Sequence, residues 1–143
     1  MRLITVDSSV FVSAARPSEP GFQESADFLG WVRRSRPRLF LPTLVLVETA
    51  AALSRTGSDE NLARQYGLAI GQLPNTVLVS LDEGLTRQAA AFGAQHKLRG
   101  ADAVYLATAS LFAAELVTLD REQLARGAKI VQTLMPAAFV ATT

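Results

Sequence analysis

The sequence predicts an α/β fold, a three-layer α/β/α sandwich around a central parallel sheet of about five strands. Two observations carry that expectation. Short apolar, β-rich runs alternate along the chain with longer segments of helical spacing, an order that gives parallel pairing through right-handed crossovers. The runs are continuously apolar rather than alternating, as expected when helices cover both faces of a sheet. With 143 residues, no internal repeat and no Pro/Gly/Ser-rich linker, residues 1–143 read as a single domain able to bury a sizeable core.

The elements follow in order. The first run, about 2–6, contains Leu3-Ile4-Thr5-Val6 and closes on Asp7, which is placed to cap a helix over 8–15. A second helix, 22–35, mixes Phe22, Phe28, Leu29, Trp31 and Val32 with polar residues, a stripe expected to face the core. The second strand spans 38–41, and Pro42 opens a helix over 43–56 that Glu48 interrupts. Ser58, Asp59 and Glu60 start the helix at 59–72, whose apolar stripe includes Leu62, Tyr66 and Ile70. A third strand at 76–80 leads to Asp82, an N-cap for 83–96. The helix from Gly100 to about 114 is apolar all round and hence buried. A fourth strand at 116–119 precedes a short turn at 121–126, where Asp120-Arg121-Glu122-Gln123 reads as a capping box. The fifth strand is expected at 128–132.

Composition removes several function classes. There is no cysteine, so disulfides, thiolate metal sites and thiol nucleophiles are excluded, which suits a reducing cytoplasm. One histidine, His96, beside Lys97 near a helix end, makes a zinc site a poor expectation. Neither GxxxxGK[ST] nor GxGxxG occurs. No apolar stretch approaches the ~20 residues of a membrane span, and the start of the chain lacks a signal-peptide pattern, so a soluble, cytoplasmic protein is expected.

Four acids stand in apolar surroundings. Asp7 closes its run, Glu48 interrupts Leu44-Val45-Leu46-Val47, Asp102 opens Ala103-Val104-Tyr105-Leu106-Ala107, and Asp120 closes Leu116-Val117-Thr118-Leu119. An ionised carboxylate in a dry setting needs an ion pair or a bound cation. Basic residues near these acids are few, so the reading is a metal. Ordinary roles compete: Asp7 and Asp120 as caps, Asp102 as a dipole complement in a first helical turn. Glu48 has no such role, because its helical neighbours Leu44, Val45, Ala51 and Ala52 offer no ion-pair partner. In an open parallel sheet ligands bind beyond the carboxyl ends of the strands, so all four acids can reach one edge. Oxygen ligands without nitrogen or sulfur select Mg²⁺ or Mn²⁺.

Net charge is only +1, which argues against binding nucleic acid by bulk charge alone. Yet 12 of the 14 basic residues are arginine, with Arg33, Arg34, Arg36 and Arg38 clustered and Arg99 close before Asp102. Arginine forks suit phosphate oxygens. The alternative is a solvated helix end.

In order and spacing, Ile4-Thr5-Val6-Asp7-Ser8-Ser9-Val10, Leu46-Val47-Glu48, Leu98-Arg99-Gly100-Ala101-Asp102-Ala103 with Leu106-Ala107-Thr108-Ala109, and Leu116-Val117-Thr118-Leu119-Asp120 resemble the PIN-domain ribonucleases, most of all the VapC toxins of toxin–antitoxin pairs. The resemblance runs nearly end to end. It implies a PIN-like fold, a Mg²⁺- or Mn²⁺-dependent endoribonuclease, Asp7, Glu48, Asp102 and Asp120 as metal-site and catalytic acids, and Thr118 as the hydroxyl near the last acid. It further implies an RNA substrate, a cognate antitoxin covering the pocket and a homodimer. After Asp120 the chain reads Arg121-Glu122-Gln123 where relatives often carry another acid or an aromatic, and Glu122 is the substitute at hand. Arg33, Arg34 and Arg99 are the expected RNA contacts. Two alternatives stand beside this reading. One is a non-catalytic PIN-like binding module. The other is aspartate-based phosphoryl transfer, for which Ser9 replaces the second acid and Lys129 is the one late lysine.

Overall fold

The structure is a computed structural model that describes residues 1–141; residues 142 and 143, part of the expected single domain, lie outside the described residues. The expected architecture is present. Five strands, β1 (Leu3–Val6), β2 (Arg38–Pro42), β3 (Thr76–Val79), β4 (Glu115–Val117) and β5 (Thr133–Leu134), form one sheet in the order β3-β2-β1-β4-β5. Every pairing is parallel, with Ile4 opposite both Leu39 and Glu115, and Val6 opposite Val117.

Helices α1 (Ser8–Ala14), α2 (Phe22–Ser35), α3 (Leu44–Arg55) and α4 (Glu60–Ala69) lie in the connections that step from β1 to β3. Helices α5 (Glu83–His96), α6 (Gly100–Leu111) and α7 (Arg121–Gly127) lie in those that return across the sheet to β5, and α8 (Pro136–Ala141) packs on α2. Right-handed crossovers in opposite directions put the first group on one face and α5–α7 on the other. The chain reverses direction at β1 and β4, so the carboxyl ends of these two strands border the natural crevice.

The core follows the pattern expected. Ile4, Val6, Leu39, Leu41, Leu116 and Val117 from the sheet meet Val10, Phe11, Phe28 and Val32 on one side and Tyr105, Leu106 and Ala109 on the other. Helix α6 is buried from Asp102 through Ala109, as an all-apolar helix must be. On the outer layer α3 and α4 touch closely at Gly67, where an added Cβ would stand 2.7 Å from the Leu46 carbonyl oxygen and 2.9 Å from Ala50 Cβ. Asp59 and Asp82 cap α4 and α5 from their side chains, the local role expected of them. Helices α2 and α5 end on Arg36 and Lys97 in the left-handed region, at φ 52° and 56°.

The fifth strand departs from expectation. It was expected at 128–132 and occupies Thr133–Leu134 instead. The reason is local: Ile130 and Val131 donate backbone N–H bonds to the Gly127 carbonyl at 2.9 and 3.0 Å, so the apolar pair is spent on closing α7. The turn expected at 121–126 is a full helix through Gly127, and α8 adds an element that the strand-and-helix alternation did not contain.

Candidate metal centre

Asp7 is placed by β1. The Asp7 N–H donates to the Val117 carbonyl at 3.1 Å, extending the β1–β4 ladder by one residue, and its side chain then caps α1 from Ser9 N at 2.9 Å. Its carboxylate also accepts the hydroxyls of Ser9 and Thr118. Only 3% of Asp7 is exposed. Burial lifts its pKa to about 6 despite the three hydrogen bonds that favour the ion, with the negative charge of Asp102 adding to the rise.

Asp102 lies in the first turn of α6 and is buried. Desolvation and the neighbouring Asp120 raise its pKa, against the opposing pull of Arg99. Asp120 ends the segment after β4 and caps α7 through Gln123 N at 3.0 Å. Its own N–H donates to Thr118 Oγ1 at 3.0 Å, so one threonine hydroxyl links Asp120 to Asp7. Glu48 reaches in from α3 and accepts from Ser8 Oγ at 3.2 Å and from the Tyr105 hydroxyl at 2.5 Å, both on Oε1. Burial and this bond push the Tyr105 pKa up, so the phenol stays a donor.

These side chains surround one pocket of about 240 Å³, lined by Asp7, Ser8, Ser9, Glu48, Arg99, Ala101, Asp102 and Asp120. All four acids singled out by the sequence are therefore together. A larger cavity of about 650 Å³ shares Ser8 and Ser9 with it, but its walls are mainly apolar and none of the four acids faces it. Size alone would select the wrong site.

Basic residues near these acids are few, as expected, but one of them pairs with two of the acids. The Arg99 guanidinium spans two of them, with Nε 3.3 Å from Asp102 Oδ2 and Nη2 2.6 Å from Asp120 Oδ2. The two pairs raise its own pKa further, Asp102 contributing most. The other basic candidates are elsewhere. Arg33 and Arg34 end α2, exposed, where the chain turns back toward the start of β2. That is the opposite edge of the sheet from the acids, and the pocket is not within their reach. Lys129, which a phosphoryl-transfer site would need, lies likewise in the turn leading into β5. Glu122 pairs with Arg126 at 3.1 Å on the outside of α7 rather than lining the pocket. His96 sits against the Phe92 ring, with centroids 6.3 Å apart. Gln123 does not complete the capping box; fully buried, it donates from Nε2 to the Asp102 carbonyl at 2.9 Å and ties α7 to α6.

Sequence reasoning missed Tyr105, Ser8 and Ser9 as members of the site. Tyr105 follows Asp102 by three residues in a helix, and that spacing puts both on one face. Ser9 follows Asp7 by two, the offset at which a hydroxyl folds back on a capping carboxylate.

The donor set fits a hard divalent ion. Among the described residues no three acids or histidines are drawn tightly enough together to form a ready-made cage. Mg²⁺ does not require one, since it retains several waters and binds through one or two carboxylates. The Arg99 guanidinium, seated between Asp102 and Asp120, is a stand-in for positive charge at that place.

The fold agrees with the comparisons to known proteins. Residues 4–130 match the PIN domain family, and the chain belongs to that family. Its structural neighbours include a VapC toxin and VapBC complexes. VapC20 of Mycobacterium tuberculosis, a sarcin-ricin loop cleaving toxin, superposes with a TM-score of 0.73 at 19% identity over 90% of this chain and 97% of that one. FitAcB from Neisseria gonorrhoeae gives 0.69 at 18% identity over 93% and 97%. DNA-bound VapBC from Salmonella typhimurium gives 0.65 at 12% identity over 95% and 99%. At such identities the likeness is one of fold. No curated protein matches the chain in sequence.

Proposed function

We propose that the chain, as a single PIN domain over residues 1–143, is a Mg²⁺- or Mn²⁺-dependent endoribonuclease and the toxin of a toxin–antitoxin pair. The observation that carries this reading is the convergence of Asp7, Glu48, Asp102 and Asp120, from four separate elements, on one small polar pocket at the strand-order reversal. Asp7 and Asp102 would hold the ion, with Asp120 and Glu48 completing its shell or positioning the attacking water. The bound ion supplies Lewis acidity toward the phosphodiester and lowers the pKa of that water.

The chain's own residues prepare the reaction. Ser9 and Thr118 hold the Asp7 carboxylate in one orientation, and their hydrogen bonds favour its ionised form. Tyr105 and Ser8 both donate to Glu48 Oε1 and fix that carboxylate on the pocket wall. The product of the reaction is a hydrolysed phosphodiester. Arg99, on the pocket wall and exposed, is the basic residue placed to meet a phosphate there. Arg33 and Arg34 would meet RNA only where it passes the far edge of the sheet.

A cytoplasmic setting, an antitoxin partner and a homodimer belong to the same reading. No helix among the described residues is long and apolar enough to cross a membrane. Leu62 and Leu68 on α4 stay 64% and 57% exposed, apolar surface of the kind an interface covers. The toxins and toxin–antitoxin complexes among the similar folds support the assignment.

The test is cleavage of a mixed tRNA and rRNA pool by purified, antitoxin-free protein with Mg²⁺ or Mn²⁺, beside EDTA and Asp7→Asn controls. Discrete products that disappear in both controls are expected. Cleavage that survives Asp7→Asn would remove the assignment, and no cleavage from folded protein at any metal concentration would favour the binding-module alternative.

A further inference from the structure

The acids at the pocket are served unequally. Asp7 is held by two hydroxyls and a backbone N–H, and Glu48 by a hydroxyl and a phenol. The oxygens Asp102 Oδ2 and Asp120 Oδ2 have one partner between them among the described residues, the Arg99 guanidinium. The carriers of those oxygens are fixed from behind. Gln123 pins the Asp102 backbone through its carbonyl, and the Gln123 N–H holds Asp120 Oδ1. Arg99 is not fixed: its side chain is 69% exposed, it precedes α6 as a cap without a side-chain capping bond, and little packing opposes its return to water.

We propose that Arg99 is a displaceable internal cation, which bridges Asp102 and Asp120 in the metal-free chain and competes with the divalent ion for those same oxygens. The inference rests on the metal-dependent reading above. Exposed ion pairs of this kind are weak, so Arg99 bridges the two carboxylates without closing the site. When Mn²⁺ binds, Arg99 gives up both oxygens and stays on the pocket wall. The same residue thereby sets how much metal the site requires and becomes available to a phosphate only once metal is present.

Calorimetric titration of the whole chain with Mn²⁺ alone, without RNA, tests this directly. Arg99→Gln should bind Mn²⁺ on the order of three- to tenfold more tightly than the unaltered chain, with the melting curve showing both folded. Arg99→Lys keeps the charge but cannot span two carboxylates, and should fall between them. Equal or weaker binding by Arg99→Gln overturns the competition while leaving the metal site standing. An Arg99→Lys affinity equal to that of the unaltered chain shows that net charge alone is at work and overturns the bridging role. Absence of Mn²⁺ binding in all three chains removes the metal reading and this inference with it.

Discussion

Asp7, an acid proposed for the metal site, opposes the fold that holds it. Its carboxyl titrates at about 6 because burial outweighs the hydroxyl and backbone bonds that favour its charge. An acid with a folded pKa above its unfolded one carries extra protons in the folded state, so stability falls as pH rises between those two values and stays lowered above them. The displacement is worth on the order of 3 kcal/mol, and the raised Asp102 acts in the same direction. The metal-free chain should therefore melt at a lower temperature at pH 7.5 than at pH 4.5, as far as this pocket is concerned. Asp7→Asn keeps the shape and removes the charge, so it should shrink that decline and raise the melting temperature at pH 7.5 by a few degrees. Thermal melts across that interval decide it. A variant that is both inactive and destabilised at pH 7.5 would point to a structural role for Asp7 instead.

Among the elements, α3 and α4 offer the sharpest test of packing. Alanine is ordinarily the better helix former by up to ~1 kcal/mol. At Gly67, however, the new Cβ would meet the Leu46 carbonyl and Ala50 at distances that force one helix to move. Overpacking then wins, and Gly67→Ala should lower stability by about 1–2 kcal/mol in urea unfolding, against a gain if the helices separated freely. Helices α1 to α6 and the first four strands were legible in the sequence because apolar period and capping residues agree within each: Asp82 ahead of α5 and Pro42 ahead of α3 are read without the fold. The fifth strand was not legible. Lys129-Ile130-Val131 has strand composition, but the Gly127 carbonyl captures two of its N–H groups, a competition that no propensity records. The acids of the site were legible for a similar reason to the strands, since each interrupts an apolar run. What joins them was hidden: Arg99 reaches Asp120 across 21 residues, and Tyr105 reaches Glu48 across 57. Arg33 and Arg34 do not line the acidic pocket, because clustering in sequence says nothing about which end of the sheet a helix terminus occupies.

At the scale of the whole molecule, the proposed metal site would couple cation binding to global stability. A ligand that binds only the folded state stabilises it by mass action, about 2.7 kcal/mol at one hundred times its dissociation constant. Mn²⁺ at that excess should raise the melting temperature at pH 7.5 by roughly 5–10 °C. At pH 5 Asp7 is mostly protonated and the increase should be much smaller. An increase independent of pH would place the ion away from Asp7.

The strand order has a further consequence for the timing of assembly. The central strand β1 emerges first, yet its neighbour β4 lies more than one hundred residues later, with Val6 paired to Val117. Thr118 and Asp120 follow directly on that strand, so the segment that orients Asp7 and the acid that completes the pocket arrive together and late. A polypeptide still being synthesised carries Asp7 and Glu48 on a half-built sheet, and the four acids come together only after the fourth strand has been made.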